Sequence, residues 1–270
     1  MRIGTKAALY TALTISALIV GGPLLLGLSL SLMPQDEILS GHYFSKNLSF
    51  QNYIEAFQST EILHYLTNSL LVSLAVTAGQ LLLSSLAAYA FVFPKFKGQT
   101  FLFYLFISTM MVPFEAQMIP NFQTMRDLGW LNTYPALIVP FAASAFGTFL
   151  MRQHFKQIPA ELKEASDLIG MSHLQFYGKV VLPMSKVSLA TLGTYSFLAT
   201  WNMYLWPLLA STNDTVRTVQ IGLKQMQSQE TLNQWGVIMA CAMLIAIPAL
   251  AVLFIGQKHL QKGLAEGSLK

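Results

Sequence analysis

Six stretches of this chain contain no Asp, Glu, Lys or Arg: Ala7–Gln35, Ile62–Pro94, Gly98–Phe114, Leu128–Met151, Val187–Asn213 and Thr231–Gln257. A helix needs about 20 mainly apolar residues to cross the hydrocarbon core, within a working range of about 17–25. All six qualify, the third by borrowing uncharged residues beyond Glu115. Inside lipid every backbone donor and acceptor must be satisfied within the segment, so runs of this length are helical. The expectation is an all-α integral membrane protein with six transmembrane helices. Composition agrees, since charged residues make up only 10% of the chain, against about a quarter in soluble domains.

Charge then sets the orientation. An even number of spans groups both termini with the Pro94–Gln99 and Arg152–Lys186 loops. That side holds Arg2, Lys6, Lys95, Lys97, Arg152, Lys156, Lys163, Lys179, Lys186, Lys258, Lys262 and Lys270, and the other only Lys46, Arg126, Arg217 and Lys224. The positive-inside rule makes both termini cytoplasmic. The net charge of +4 is thus an orientation signal, and no nucleic-acid partner follows from it. A cleaved signal peptide has an apolar core of only about 7–15 residues. Here the run continues through Leu24-Leu25-Leu26 to Leu32-Met33 and is read as the first span. Cys241 is the single cysteine, so the outer loops hold their shape without a disulfide. One membrane domain over residues 1–270 is the economical division. It has a structured loop at about 152–186 between the fourth and fifth spans and a long outer loop at about 211–234.

The 152–186 loop has helical detail of its own. Pro159 suits a first turn because its missing N–H is unpaired there anyway, and Glu161 and Glu164 favour the positive end of the dipole. Leu162, Ala165 and Ile169 share a face, with Lys163, Ser166 and Asp167 elsewhere. Gly170 supplies the left-handed geometry that ends such a helix. Ser172-His173-Leu174-Gln175 then reads as a capping box opening a second helix that runs to Pro183. A helix of about ten residues is only about 15 Å long, too short to span a bilayer. These features fit an amphipathic loop resting on headgroups as well as a knob presented to a partner.

The residue pattern adds a resemblance. Glu164, Ala165 and Gly170, followed by Val180, Leu182 and Pro183, resemble the Glu-Ala-Ala signature of ABC-importer permeases. Ser166 stands where that signature has a second Ala, and Ile169 where sugar permeases usually have Asp. Further fragments resemble, in order, the MalG-type permeases of carbohydrate ABC importers. They include Asn52-Tyr53, Asn68-Ser69, Ala87-Ala88-Tyr89-Ala90-Phe91, Phe96-Lys97-Gly98, Met110-Met111-Val112-Pro113 and Leu128-Gly129-Trp130-Leu131-Asn132-Thr133. Ile158-Pro159, Trp201-Asn202, Pro207, Lys262-Gly263-Leu264 and Gly267-Ser268-Leu269-Lys270 continue the series.

The resemblance implies a multi-pass permease of a bacterial inner membrane, one of a pair with a homologous companion. Two cytoplasmic ATPase subunits lie below, and an extracytoplasmic sugar-binding protein delivers solute. The docking surface would comprise Glu161, Glu164, Ala165, Ser166, Asp167, Gly170 and Met171, and the 211–234 loop would reach towards the binding protein. The chain has no Gly-x-x-x-x-Gly-Lys-Ser/Thr segment, so it is expected to carry no cofactor and to catalyse nothing, with ATP and Mg held by the partner ATPase. Trp201, Asn202 and Tyr204 offer stacking and hydrogen-bonding groups for a sugar in the fifth span, though intramembrane Asn also commonly bonds a neighbouring helix. An intramembrane enzyme or a proton-coupled transporter would need ionisable groups at membrane depth, which the six runs lack; Na⁺ coupling through backbone carbonyls stays open. A permease for glycerol phosphate or a polyamine is the nearest alternative.

Overall fold

The computed structural model describes residues 3–228 and 234–268. Arg2, the tail residues Leu269 and Lys270, and residues 229–233 of the long outer loop lie outside the described residues. The chain begins with α1 (Ile3–Ser31), α2 (Gln35–Leu39), α3 (Gln51–Ser59), α4 (Ile62–Ala90), α5 (Gln99–Ser108) and α6 (Phe114–Asp127). It continues with α7 (Tyr134–Ile138), α8 (Ala145–Phe155), α9 (Ala160–Leu168), α10 (His173–Phe176) and α11 (Leu182–Met184). The remainder is α12 (Lys186–Trp201), α13 (Leu205–Ala210), α14 (Val219–Ser228) and α15 (Trp235–Ser268). No strand occurs among the described residues.

Three charge-free runs became unbroken helices long and apolar enough to cross a membrane: Leu9–Ser31, Ile62–Ala90 and Trp235–Lys258. The other three did not. The third run stops at Met111, and the chain turns through 97° at Val112-Pro113 into α6, so the residues beyond Glu115 do not prolong it. Pro113 has no N–H to continue the ladder, and it disfavours helix at the residue before it. The fourth run is broken between Phe141 and Ala145, its halves inclined by 42°. The fifth is split at Asn202–Tyr204 into α12 and α13. The 16 residues of α12 reach only about 24 Å at about 1.5 Å per residue.

The residues fall into two compact units. The first contains the described residues up to Leu66 with those of Ile221–Pro248. Its buried centre includes Met33, Ala56, Ile62, Tyr65, Val237, Ala240 and Cys241. Asn52 ties α3 to the end of α1 by donating from Nδ2 to the carbonyls of Ser31 at 3.0 Å and Met33 at 2.8 Å. Gly236 is pressed against this amide, where a Cβ would stand 2.5 Å from Nδ2.

The second unit contains the described residues of Thr67–Gln220 and Ala249–Lys270. Its two apolar clusters centre on Phe155, Phe176 and Val181, and on Val76, Leu137 and Trp206. The break in the fourth run frees carbonyl groups, and α4 supplies donors for them. Gln80 donates from Nε2 to the Phe141 carbonyl at 2.9 Å, and Ser84 donates to that of Ser144 at 3.3 Å. Ser144 in turn caps α8 by accepting from the Gly147 amide at 3.0 Å. Gly147 permits the approach, because a Cβ there would lie 2.6 Å from Ser84 Oγ and 3.1 Å from a Leu192 methyl.

Two substitutions separate these contributions. Gln80→Leu removes one interhelical hydrogen bond, expected to cost about 1 kcal/mol in a membrane setting. Gly147→Leu overpacks the α4–α8 seam, at about 1–3 kcal/mol. Heat-induced aggregation of the purified protein in detergent should set in at a lower temperature for both, and earlier for Gly147→Leu.

Candidate functional site

The loop joining α8 to α12 is built from local signals. Pro159 stands just outside the first turn of α9, with φ −55° and ψ 135°, where its lack of an N–H costs nothing. At the other end Ile169 is the C-cap and Gly170 takes φ +71°. The Met171 amide donates to the Ser166 carbonyl at 2.9 Å and the Gly170 amide to that of Asp167 at 3.0 Å. This pair of bonds is a Schellman motif, which places a left-handed residue at Gly170. Two residues on, Ser172 and Gln175 form the expected capping box: Gln175 N donates to Ser172 Oγ at 3.3 Å and Ser172 N to Gln175 Oε1 at 3.1 Å. The second helix continues through a π-helical turn at Tyr177–Val181 into α11. It passes Pro183, which occupies the first turn of α11, a position that needs no N–H.

Anchoring comes from α4 and α8. Phe155, Ile158, Phe176, Tyr177 and Val181 are buried together with Ala88, Tyr89, Met151 and Leu192. The Tyr89 and Tyr177 rings meet edge to face at 5.4 Å, and so do Phe93 and Phe176 at 5.2 Å, an arrangement favoured by the ring quadrupoles. The Tyr89 hydroxyl donates to the His173 carbonyl at 3.1 Å and lies 3.0 Å from Nδ1 of the same residue. One turn earlier, the Ser85 and Tyr177 hydroxyls are bonded at 2.7 Å. Lys163 pairs with Asp167 and holds its ammonium 5.6 Å over the Phe176 ring. At the start of the loop, burial lowers the pKa of the Lys156 ammonium, and the charge of Arg152 acts in the same direction.

The outward surface can now be assigned residue by residue. Glu161, Glu164, Ala165, Asp167 and Gly170 are exposed, and Met171 is half-buried against the aromatic cluster. Ser166 is different: it is 4% exposed and donates to the Lys163 carbonyl at 2.7 Å, so it faces its own chain. The tip of the loop carries apolar residues beyond the sequence pattern. Leu168 is 89% exposed, and Ile169 and Leu174 are 74% exposed. The signal for Leu168 was its spacing, one turn after Glu164 and therefore on the same face. Leu174 gave no such signal, because its placement depends on how the capping box aims the second helix.

The fifth-span candidates separate. Trp201 is 2% exposed, stacks on Phe197 at 5.6 Å and accepts at its carbonyl from Gln220 Nε2 at 3.4 Å. Asn202 is exposed and donates from Nδ2 to the Leu198 carbonyl of its own helix at 2.8 Å, while Tyr204 is half-buried. Asn202 thus serves the end of α12, and Trp201 belongs to the packing. Sequence reasoning missed what Asn68, Ser69 and Asn132 do. Asn68 donates from Nδ2 to the carbonyls of Thr215 and Arg217 and accepts from the Tyr134 hydroxyl at 2.7 Å. Ser69 accepts from the Val219 amide at 2.8 Å. Asn132, at φ +62°, accepts through Oδ1 from the amides of Thr212 and Asn213, a conformation that Asn tolerates better than most residues. These three side chains fasten the segment that follows α13. Among the described residues, no group of three His, Cys, Asp or Glu side chains could hold a metal ion.

Comparison with known proteins meets this geometry. Residues 80–266 match the family described as "Binding-protein-dependent transport system inner membrane component". The sn-glycerol-3-phosphate transport system permease protein UgpE of Brucella abortus (strain 2308) is 33% identical over 238 residues, 88% of this chain and 83% of that protein. Its counterpart in Yersinia enterocolitica is 37% identical over 202 residues, 74% of this chain and 72% of the relative. Among solved structures, a chain of a bacterial ABC transporter involved in the import of the acidic polysaccharide alginate superimposes with a TM-score of 0.86 at 25% identity. That match covers 94% of this chain and 95% of the other. A second alginate ABC transporter chain, with a TM-score of 0.67 at 15% identity and 93% coverage of each, shares the fold. The chain belongs to the binding-protein-dependent transport system inner membrane components, and is a multi-pass inner-membrane permease of an ABC importer.

Proposed function

We propose that this permease crosses the membrane six times with both termini cytoplasmic, and that the α9–α10 loop docks into a cytoplasmic ATPase and carries its motion to the membrane helices. The observation that carries this reading is the tip at Gly170. It is an outward-facing helix end with exposed Glu164, Leu168, Ile169 and Leu174, mounted on a buried aromatic base. Apolar side chains exposed outside the membrane-crossing helices gain by burial at about 25 cal/mol per Å², so a partner cleft is their natural cover. The charge asymmetry of the loops supports the orientation. Two ATPase subunits holding ATP and Mg, a homologous companion permease and an extracytoplasmic binding protein complete the assembly in this reading, with the 211–234 loop turned towards the binding protein. The split fifth run and the bent third run serve as spans within that arrangement, covered by neighbouring helices and the companion.

A carbohydrate is the solute class this reading favours, supported by the likeness to the alginate importer. Glycerol phosphate is a second reading, because the curated relatives cited above are named for its transport. Uptake by a disruption strain, tested with mono- and oligosaccharides and with sn-glycerol-3-phosphate, separates the two by which uptake is lost.

Docking is tested at two exposed positions. Glu164→Arg reverses charge on the open face, and Gly170→Arg forces a side chain into the left-handed region at about 1–2 kcal/mol. Both should abolish uptake and weaken copurification of the ATPase while membrane insertion is unchanged; normal uptake by both variants rejects the docking surface. Transmission is tested by Tyr89→Phe, which removes the bonds to His173 and leaves the tip untouched. Loss of about 1 kcal/mol of hydrogen bonding should speed amide exchange over 172–176 by about fivefold, with ATPase copurification retained and uptake per ATP hydrolysed reduced. Purified alone, the chain should hydrolyse no ATP.

A further inference from the structure

The first unit bears an apolar surface that its own elements leave open. Leu39 at the end of α2 and Tyr43, Phe44 and Leu48 in the loop after it are all exposed, Phe44 to 73%. Next to them α3 is two-faced. Asn52 and Ala56, four residues apart, are buried inward, whereas Phe50 at its N-cap and Ile54 and Phe57 on its outer side, at spacings of four and three, point out. That spacing defines one face of a helix.

The depth of this surface is fixed by hydrogen bonds to the first membrane helix. Ser29 lies in the last turn of the Leu9–Ser31 span and donates from Oγ to the Tyr43 carbonyl at 2.9 Å. The Ser49 amide donates to the Leu32 carbonyl at 2.8 Å. Ser31 Oγ and the Tyr53 hydroxyl are bonded at 2.8 Å, and Asn52 holds the carbonyls of Ser31 and Met33. The loop therefore folds back to the level where the span ends, with α3 fastened beside that end. Leu24, Leu25 and Leu28, within the last turns of the same span, are exposed as well.

We propose that the Leu39–Leu48 loop and the Phe50–Ile54–Phe57 face of α3 form a foot in the headgroup–acyl boundary of the bilayer, in contact with zwitterionic lipid. A short helix with one apolar face lies in the plane of the interface, burying that face about 5–10 Å deep, and aromatic rings are favoured at this level. Charge selects the lipid class. Asp36, Glu37, Glu55 and Glu61 outnumber Lys46 between residues 34 and 61, which opposes attraction to anionic headgroups. Apolar burial is left as the driving force, and the foot sets the height of α1 in the bilayer.

Spin labels placed on Phe44→Cys, Phe50→Cys, Ile54→Cys and, for reference, Lys46→Cys test this in a Cys241→Ala background that retains uptake. The assembled importer is reconstituted into phosphatidylcholine nanodiscs, and accessibility to oxygen is compared with that to a water-soluble nickel chelate. The expected oxygen-to-nickel ratio is above one at 44, 50 and 54 and below one at 46. A ratio below one at the three foot positions places them in water and overturns the proposal. Shielding from both reagents places them under another protein chain and overturns it equally. The result is independent of the solute and of ATPase docking.

Discussion

The second unit depends on the polar side chains of α4, which hydrogen-bond distant segments, in part to backbone that is not helical. Irregular backbone at membrane depth persists only where it is buried in protein or lines a cavity, because lipid offers it no partner. The side chains of α4 meet that requirement along its length. Asn68 and Ser69 bind the segment after α13, Gln80 and Ser84 bind the break before α8, and Ser85 and Tyr89 bind the α10 region. A helix whose sequence is uniformly apolar in its charged-residue count thus carries a run of small polar groups with named partners. Replacing them with Leu would leave α4 equally able to span and remove what defines the chain around it.

Magnitudes separate attachment from alignment at the α9–α10 loop. Burying each of Phe155, Phe176 and Val181 is worth about 1.5–3 kcal/mol, and each hydrogen bond about 1 kcal/mol net. The aromatic base therefore supplies most of the adhesion, and the Tyr89–His173 and Ser85–Tyr177 bonds fix where along α4 the loop sits. A displacement of the loop tip must move α4 and α8 with it or break that base. The Schellman turn at Gly170 and the capping box at Ser172 hold the two short helices at one angle, so the loop is a stiff element.

What could be read from residues alone follows the range of the physics involved. Chain-local signals were legible: Gly170 at a helix end and the Ser172–Gln175 box came out where they were read, and Pro159 stands at the N-cap, just before the first turn it was read into. So did three long charge-free runs, since hydropathy over 20 residues needs no tertiary partner. The breaks at Phe141–Ala145 and Asn202–Tyr204 were not legible. A break is stable only because distant groups such as Gln80 receive the freed carbonyls, and no local pattern names them. Ser166 looked like part of an outward surface by motif, yet it is buried and bonds the Lys163 carbonyl. Trp201, a candidate for sugar stacking, is buried and stacks on Phe197, four residues away on the same helix.

The sequence by itself determined that the chain is a helical membrane protein and, through the Glu164–Gly170 pattern and the fragments around it, which family it belongs to. The first follows from hydropathy over about 20 residues, which acts within a few turns of chain, and the second rests on the resemblance of those motifs to a known family. Tertiary structure decided which apolar runs stay whole, which face of α9 is offered outward, and how Asn68, Gln80 and Tyr89 are used. Those outcomes rest on hydrogen bonds and packing between residues tens to more than a hundred positions apart, which exist only once the helices are brought together.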